Sequence, residues 1–122
     1  MAMKNILLID DDVMEQKLLY AFLIRRYGAG FELAYVDNLN AGIEILQTRS
    51  FDAIFIDRML PPYRDAEESY PKLAKHVASG KLIYISSDTS TFRCSNIGRG
   101  KPVMFIDKLD MKDQIMDGLL DS

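Results

Sequence analysis

Asn5-Ile6-Leu7-Leu8-Ile9-Asp10-Asp11-Asp12 is the stretch on which the fold turns. Its continuous apolar run leaves no polar face, as in a parallel strand buried on both sides. The run stops abruptly at three carboxylates. Helical spacing follows at once, with Met14, Leu18, Ala21, Phe22 and Arg25 at steps of three or four. Asp12 and Glu15 stand where a helix-capping pair would, and Gly28 and Gly30 stop the helix.

Outward from there the same succession recurs. Phe31 to Val36 reads as a second strand, and Asp37 or Asn38 can cap a helix whose apolar stripe is Leu39, Ile43 and Leu46. Ala53-Ile54-Phe55-Ile56 is a third buried strand, again ending in an acid, Asp57. Pro61-Pro62 then forces a loop, because proline neither continues a strand nor donates to its ladder. Tyr70 to Val77 is a weaker helix. Leu82 to Ile85 is a fourth strand, ending in Ser86-Ser87, and Val103 to Ile106 a fifth, ending in Asp107-Lys108. Met111, Ile115, Met116 and Leu119 mark a last helix. Between the last two strands, Asp88 to Lys101 is rich in Ser, Thr and Gly, with Phe92, Cys94 and Ile97 as its anchors, and a short or mobile helix is expected there. Strands alternating with helices imply right-handed crossovers and an α/β, doubly wound parallel sheet of five strands.

The chain has 122 residues, the size of one domain, 48% of them apolar and 27% charged, which suits a globular protein and excludes a disordered one. Its longest apolar run, Leu18 to Ile24, is far short of the roughly 20 residues that cross a bilayer, so no membrane insertion is expected. The N-terminus lacks the pattern of a signal peptide. Cys94 is the single cysteine, so no internal disulfide can form and a cytoplasmic location is expected. A net charge of −3 without a basic block argues against direct nucleic-acid binding.

Ligands of open α/β sheets bind beyond the carboxyl ends of the strands. Each polar feature above lies at such an end: Asp10 and Asp11 after strand one, Asp57 after strand three, Ser86 after strand four, Lys108 after strand five. Carboxylates brought within about 4 Å repel by roughly 4 kcal/mol per pair at an effective dielectric near 20. Lys108 neutralises only one of the three, so a hard divalent cation is expected, and Mg²⁺ takes one or two carboxylates together with waters and phosphate oxygens. Metal, carboxylate, lysine and hydroxyl together are the equipment of phosphoryl transfer, with an aspartate able to serve as nucleophile and form an acyl phosphate.

Over nearly its whole length the chain resembles the receiver domain of two-component response regulators. The resemblance is carried by Leu7-Leu8-Ile9-Asp10-Asp11-Asp12, by Asp52-Ala53-Ile54-Phe55-Ile56-Asp57-Arg58-Met59-Leu60-Pro61, by Ile85-Ser86-Ser87 and by Phe105-Ile106-Asp107-Lys108, in that order. It implies a flavodoxin-like sheet of strand order 2-1-3-4-5 with helices on both faces, forming one receiver domain over residues 1–122 without an effector domain. It also implies that Asp57 is the phosphoacceptor. Asp11 would hold Mg²⁺ directly, Asp10 directly or through a water, and Asp57 and the backbone carbonyl of Met59 would complete the protein's ligands. Ser86 would hydrogen-bond the phosphoryl group and Lys108 would pair with it. Phe105 would change rotamer as Ser86 is drawn inward, altering the face formed by the fourth helix, fifth strand and fifth helix, where a downstream protein would dock. The donor would be a phosphohistidine on a sensor histidine kinase or a histidine phosphotransfer protein.

Three features depart from the family pattern. Lys108 is followed by Leu109, where the family usually has proline after a cis bond; a cis bond before a non-proline costs about 2.5–4 kcal/mol. Asp65 replaces the usual glycine, at a position where Asp tolerates positive φ better than most residues. The Ser- and Gly-rich 88–101 stretch makes the output face unusual. Plainer readings stand beside the functional ones: Asp12 as a helix cap rather than a third metal ligand, Phe105 as core, His76 as a surface helix residue between Lys72 and Lys75, Cys94 as a small partly buried residue. Two other functions compete. One is a pseudo-receiver that binds partners without phosphate. The other is an aspartate phosphatase of the haloacid-dehalogenase type built on Asp10-x-Asp12, which would not need Asp57.

Overall fold

A computed structural model describes residues 3–57, 66–77, 80–86 and 103–120. The first strand, β1, is Lys4–Ile9, and its four apolar residues Ile6 to Ile9 are fully buried. Helix α1 (Val13–Tyr27) follows, then β2 (Phe31–Val36), α2 (Leu39–Leu46), β3 (Ala53–Asp57), α3 (Ala66–Leu73), a 3₁₀ turn at Ala74–His76, β4 (Lys81–Ser86) and β5 (Val103–Asp107). A second 3₁₀ turn at Lys108–Asp110 leads into the C-terminal helix α4 (Met111–Met116). The expected 88–101 helix, Cys94, Asp65 and the Pro61-Pro62 loop lie outside the described residues.

All neighbouring strands pair in parallel, in the order β2-β1-β3-β4-β5. Each strand's side chains alternate between the two faces, so one run of apolar residues feeds two cores. Ile6 and Leu8 of β1, Phe55 of β3 and Ile83 and Ile85 of β4 pack with Leu19 and Leu23 of α1 and Met111 and Ile115 of α4. Leu7, Ile9, Ile54, Ile56 and Tyr84 pack on the opposite face, with Leu39 of α2 and Leu73 of α3. The sheet is therefore doubly wound, with helices on both faces. Near the amino-terminal edge β3 and β4 approach so closely that a Cβ on Gly80 would collide with the Phe51 carbonyl.

Two helices differ from the periodicity. In α1 the stripe Met14, Leu18 and Ala21 faces solvent, and the buried face is instead Glu15, Leu19 and Leu23. The helix carries two apolar stripes, and the end of β1 determines which one meets the sheet. Helix α3 begins at Ala66 rather than Tyr70, so Pro71 lies inside it instead of at its start. Proline withholds one backbone donor, and within three residues the helix tightens into the 3₁₀ turn at Ala74–His76, where His76 is half-buried. Of the two proposed caps for α2, Asn38 performs the task, its Oδ1 accepting from the Ala41 N–H at 2.8 Å. The last helix is short; Gly118, at φ 99°, turns the chain so that Leu120 returns to the core. No helix among the described residues is long and apolar enough to cross a membrane.

Candidate functional site

Register brings the polar strand ends together. Ile9 pairs with Ile56, which sets Asp10 beside Asp57; Asp57 pairs with Ile85, one residue before Ser86; Ser86 pairs with Asp107, one residue before Lys108. Alternation then sorts them. Asp10 continues the Ile6–Leu8 side of β1 and Asp57 the Phe55 side of β3, so both carboxylates emerge on the face covered by α1. Ser86 follows Tyr84 on the other face.

Asp10, Asp11 and Asp57 each offer a carboxylate oxygen, and these oxygens lie within 4.8 Å of one another. Asp10 is wholly buried, Asp57 half-buried and Asp11 exposed, which makes a cleft closed on one side and open to a ligand on the other. The Asp12 N–H donates to Asp10 Oδ1 at 2.9 Å, while buried Oδ2 has no hydrogen-bond donor and lies 3.5 Å from Lys108 Nζ. Burial pushes the Asp10 carboxyl up to about 6, partly offset by the Asp12 N–H and the Lys108 ammonium and reinforced by Asp57 and Glu15. Burial works against the Lys108 ammonium, yet Asp57, Asp10 and Glu15 outweigh it and hold the group above the ordinary lysine range.

This arrangement fits a divalent cation. Three convergent carboxylate oxygens, one of them from a buried aspartate whose Oδ2 accepts no hydrogen bond, match the oxygen-only preference of Mg²⁺. The backbone carbonyl expected from Met59 lies outside the described residues.

Asp12 is a helix cap, its Oδ1 accepting from the Met14 N–H at 2.9 Å. Glu15, its expected capping partner, does something else. The Asp12 N–H that it would accept from is taken by Asp10, and Glu15 turns inward to within 3.8 Å of Lys108 Nζ. Sequence reasoning missed this fourth carboxylate, because position three of a helix is where a capping glutamate ordinarily sits. At Leu109 the chain does without the usual proline by a contact proline cannot make: the Leu109 N–H donates to Asp107 Oδ1 at 2.9 Å, closing the turn that carries Lys108. Phe105 is partly buried and stacks on Tyr84 with ring centroids 5.5 Å apart and planes 15° from parallel. Ser86 is buried one strand away.

No family model matches the chain, and no curated protein matches it. Solved structures do. The signal receiver domain of a putative response regulator, NarL, from Mycobacterium tuberculosis superposes with a TM-score of 0.78 at 14% identity, covering 99% of this chain and 96% of that one. The fold is that of a receiver domain. The receiver domain of the Pseudomonas aeruginosa sensor histidine kinase PA1611, solved with a magnesium ion coordinated in its active-site cleft, gives 0.72 at 18% identity over 99% and 100% of the two chains. A CheY-like receiver domain from Methylobacillus flagellatus gives 0.70 at 17% identity over 95% and 98%. Identities of 14%, 17% and 18% to this chain show a shared fold and assign no residue its role.

Proposed function

We propose that the chain is a single receiver domain over residues 1–122 that signals by accepting a phosphoryl group on Asp57. The observation that carries this reading is the convergence of Asp10, Asp11 and Asp57 within 4.8 Å, with the Lys108 ammonium 3.5 Å from Asp10. Asp10 and Asp11, with Asp57 itself and the Met59 carbonyl, hold Mg²⁺. Bound there, Mg²⁺ supplies positive charge to the phosphoryl oxygens and to the carboxylates around them.

The donor is a phosphohistidine on a sensor histidine kinase or a histidine phosphotransfer protein. One Asp57 carboxylate oxygen attacks phosphorus; a P–O bond forms, the P–N bond breaks, and the departing imidazole nitrogen takes a proton from water. Lys108 pairs with a phosphoryl oxygen and the Ser86 hydroxyl donates to another. Hydrolysis of the acyl phosphate returns Asp57 to its carboxylate, so the protein turns over only its own phosphoryl group and no external substrate. Phe105, packed beside Ser86's strand, carries the change to the output face around β5, where a downstream protein docks without direct nucleic-acid contact. The absence of a basic block and the lone cysteine support a cytoplasmic protein that acts through protein partners.

Intact mass after incubation with Mg²⁺ and a small acyl phosphate tests the reading. Wild type should gain one phosphoryl group and Asp57→Asn none. A wild type that stays unmodified, even with a purified kinase, while millimolar Mg²⁺ leaves the amides of Asp11 and Asp57 unmoved, would instead identify a pseudo-receiver.

A further inference from the structure

We infer that Glu15 is a positioning residue for Lys108, holding its ammonium over the acceptor site from the first turn of α1. The inference rests on the receiver reading for its consequence and on geometry for its substance. Glu15 lies on the buried face of α1 with Leu19 and Leu23, where an apolar residue would pack as readily. It is only 9% exposed, and its Oε2 is buried without a hydrogen-bond partner. A carboxylate is costly in such a place unless a cation stands beside it. That cation is Lys108, whose Nζ lies 3.8 Å from Glu15 Oε1 and 3.5 Å from Asp10 Oδ2.

Both distances exceed the roughly 2.7–2.9 Å of a charge-assisted hydrogen bond. The ammonium is thus seated between the two carboxylates and drawn also toward Asp57. The Leu109 N–H closes the 3₁₀ turn that Lys108 opens and so fixes the backbone there, but the four-carbon stem beyond it is flexible. Direction must come from the side chain's partners. Where Asp10 would turn toward a cation, Glu15 is the partner that would still keep Lys108 inside the cleft.

The test uses the full chain and follows phosphoryl gain on Asp57 from a small acyl phosphate in wild type, Glu15→Gln, Lys108→Ala and the double variant. At saturating Mg²⁺, Glu15→Gln should slow phosphorylation about fivefold, the change that about 1 kcal/mol makes in a rate. The Mg²⁺ concentration for half-maximal rate should stay within about twofold, and Glu15→Gln should add nothing in the Lys108→Ala background. A glutamate that merely supported the fold would slow both backgrounds alike, and that result, or an unslowed Glu15→Gln, overturns the inference. NMR of the Lys108 ε-methylene supplies a second readout that needs no phosphorylation. Signals unmoved by Glu15→Gln overturn the positioning role outright. Signals that move, in a wild type that never gains a phosphoryl group, would sink the receiver reading and leave the Glu15–Lys108 contact standing.

Discussion

Asp10 shows how one residue carries both the promise and the strain of the site. It is fully buried, and burial lifts its carboxyl to about 6 from an ordinary value of 3.8. The folded chain therefore binds a proton there that the unfolded chain has released, so without metal this group favours the fold below about pH 4 and loses that contribution as pH rises through 6. The gap of about two pKa units corresponds to roughly 3 kcal/mol. Asp10→Asn should therefore stabilise the metal-free protein at pH 7.5 by about 1–3 kcal/mol and flatten its stability between pH 4 and 6.5, as read from urea midpoints across that range. A variant no more stable than wild type at pH 7.5 would show that the buried carboxylate is better compensated than its missing donor implies. The convergence of Asp10, Asp11, Asp57 and Lys108 was legible in the sequence because each lies at or just past the end of an apolar strand, and strand ends converge in this kind of sheet. Glu15 was not legible. Whether a glutamate in a first turn caps the helix or turns inward depends on which face of the helix meets the sheet and on whether the cap residue's N–H is free, and here Asp10 takes it.

At the scale of elements, α1 separates what periodicity can and cannot say. Its boundaries were readable from chemistry: Asp12 caps the start, and Gly28, at φ 61°, ends it with its N–H donating to the Ile24 carbonyl at 2.8 Å. Its buried face was not, because Met14-Leu18 and Leu19-Leu23 are equally apolar stripes on one cylinder. Only the sheet beneath selects between them. Paired substitutions make this measurable. Leu19→Ala, in the core with Leu8 and Ile115, should cost about 2–5 kcal/mol, whereas Leu18→Ala, exposed on the outer stripe, should fall within about 0.5 kcal/mol of wild type. Asp12→Ala should cost about 1 kcal/mol through the lost cap. Comparable losses at Leu18 and Leu19 in chemical melts would reverse the assignment of the face. Helix α3 begins four residues before the expected Tyr70 and keeps Pro71 inside, where proline ordinarily suits the first turn, while Leu73 and Val77 pack in the core of that face.

For the whole molecule, the central fact is that the site and the core share the same two strands. The β1–β3 ladder runs from Ile6–Ala53 to Ile9–Ile56, entirely through buried residues, and ends at Asp10 and Asp57. Repulsion between those carboxylates therefore acts directly on the central pair of the sheet, and a cation that relieves it must stabilise the fold as a whole. The size follows from mass action, because a ligand that binds only the folded chain adds RT ln(1 + [L]/Kd), about 1.4 kcal/mol at ten times Kd and about 2.7 kcal/mol at a hundred times. Mg²⁺ should raise the urea midpoint of wild type accordingly, with the increase growing as the logarithm of its concentration. Asp11→Asn removes a carboxylate of the cluster that is exposed and contributes little to packing, so it should leave the metal-free midpoint nearly unchanged while abolishing most of the Mg²⁺ response. Asp10→Asn should abolish the response too, but from a higher starting stability, because it also removes the buried charge. A Mg²⁺ response that survives both substitutions would place the cation elsewhere on the surface and break the link between this carboxylate cluster and the sheet that presents it.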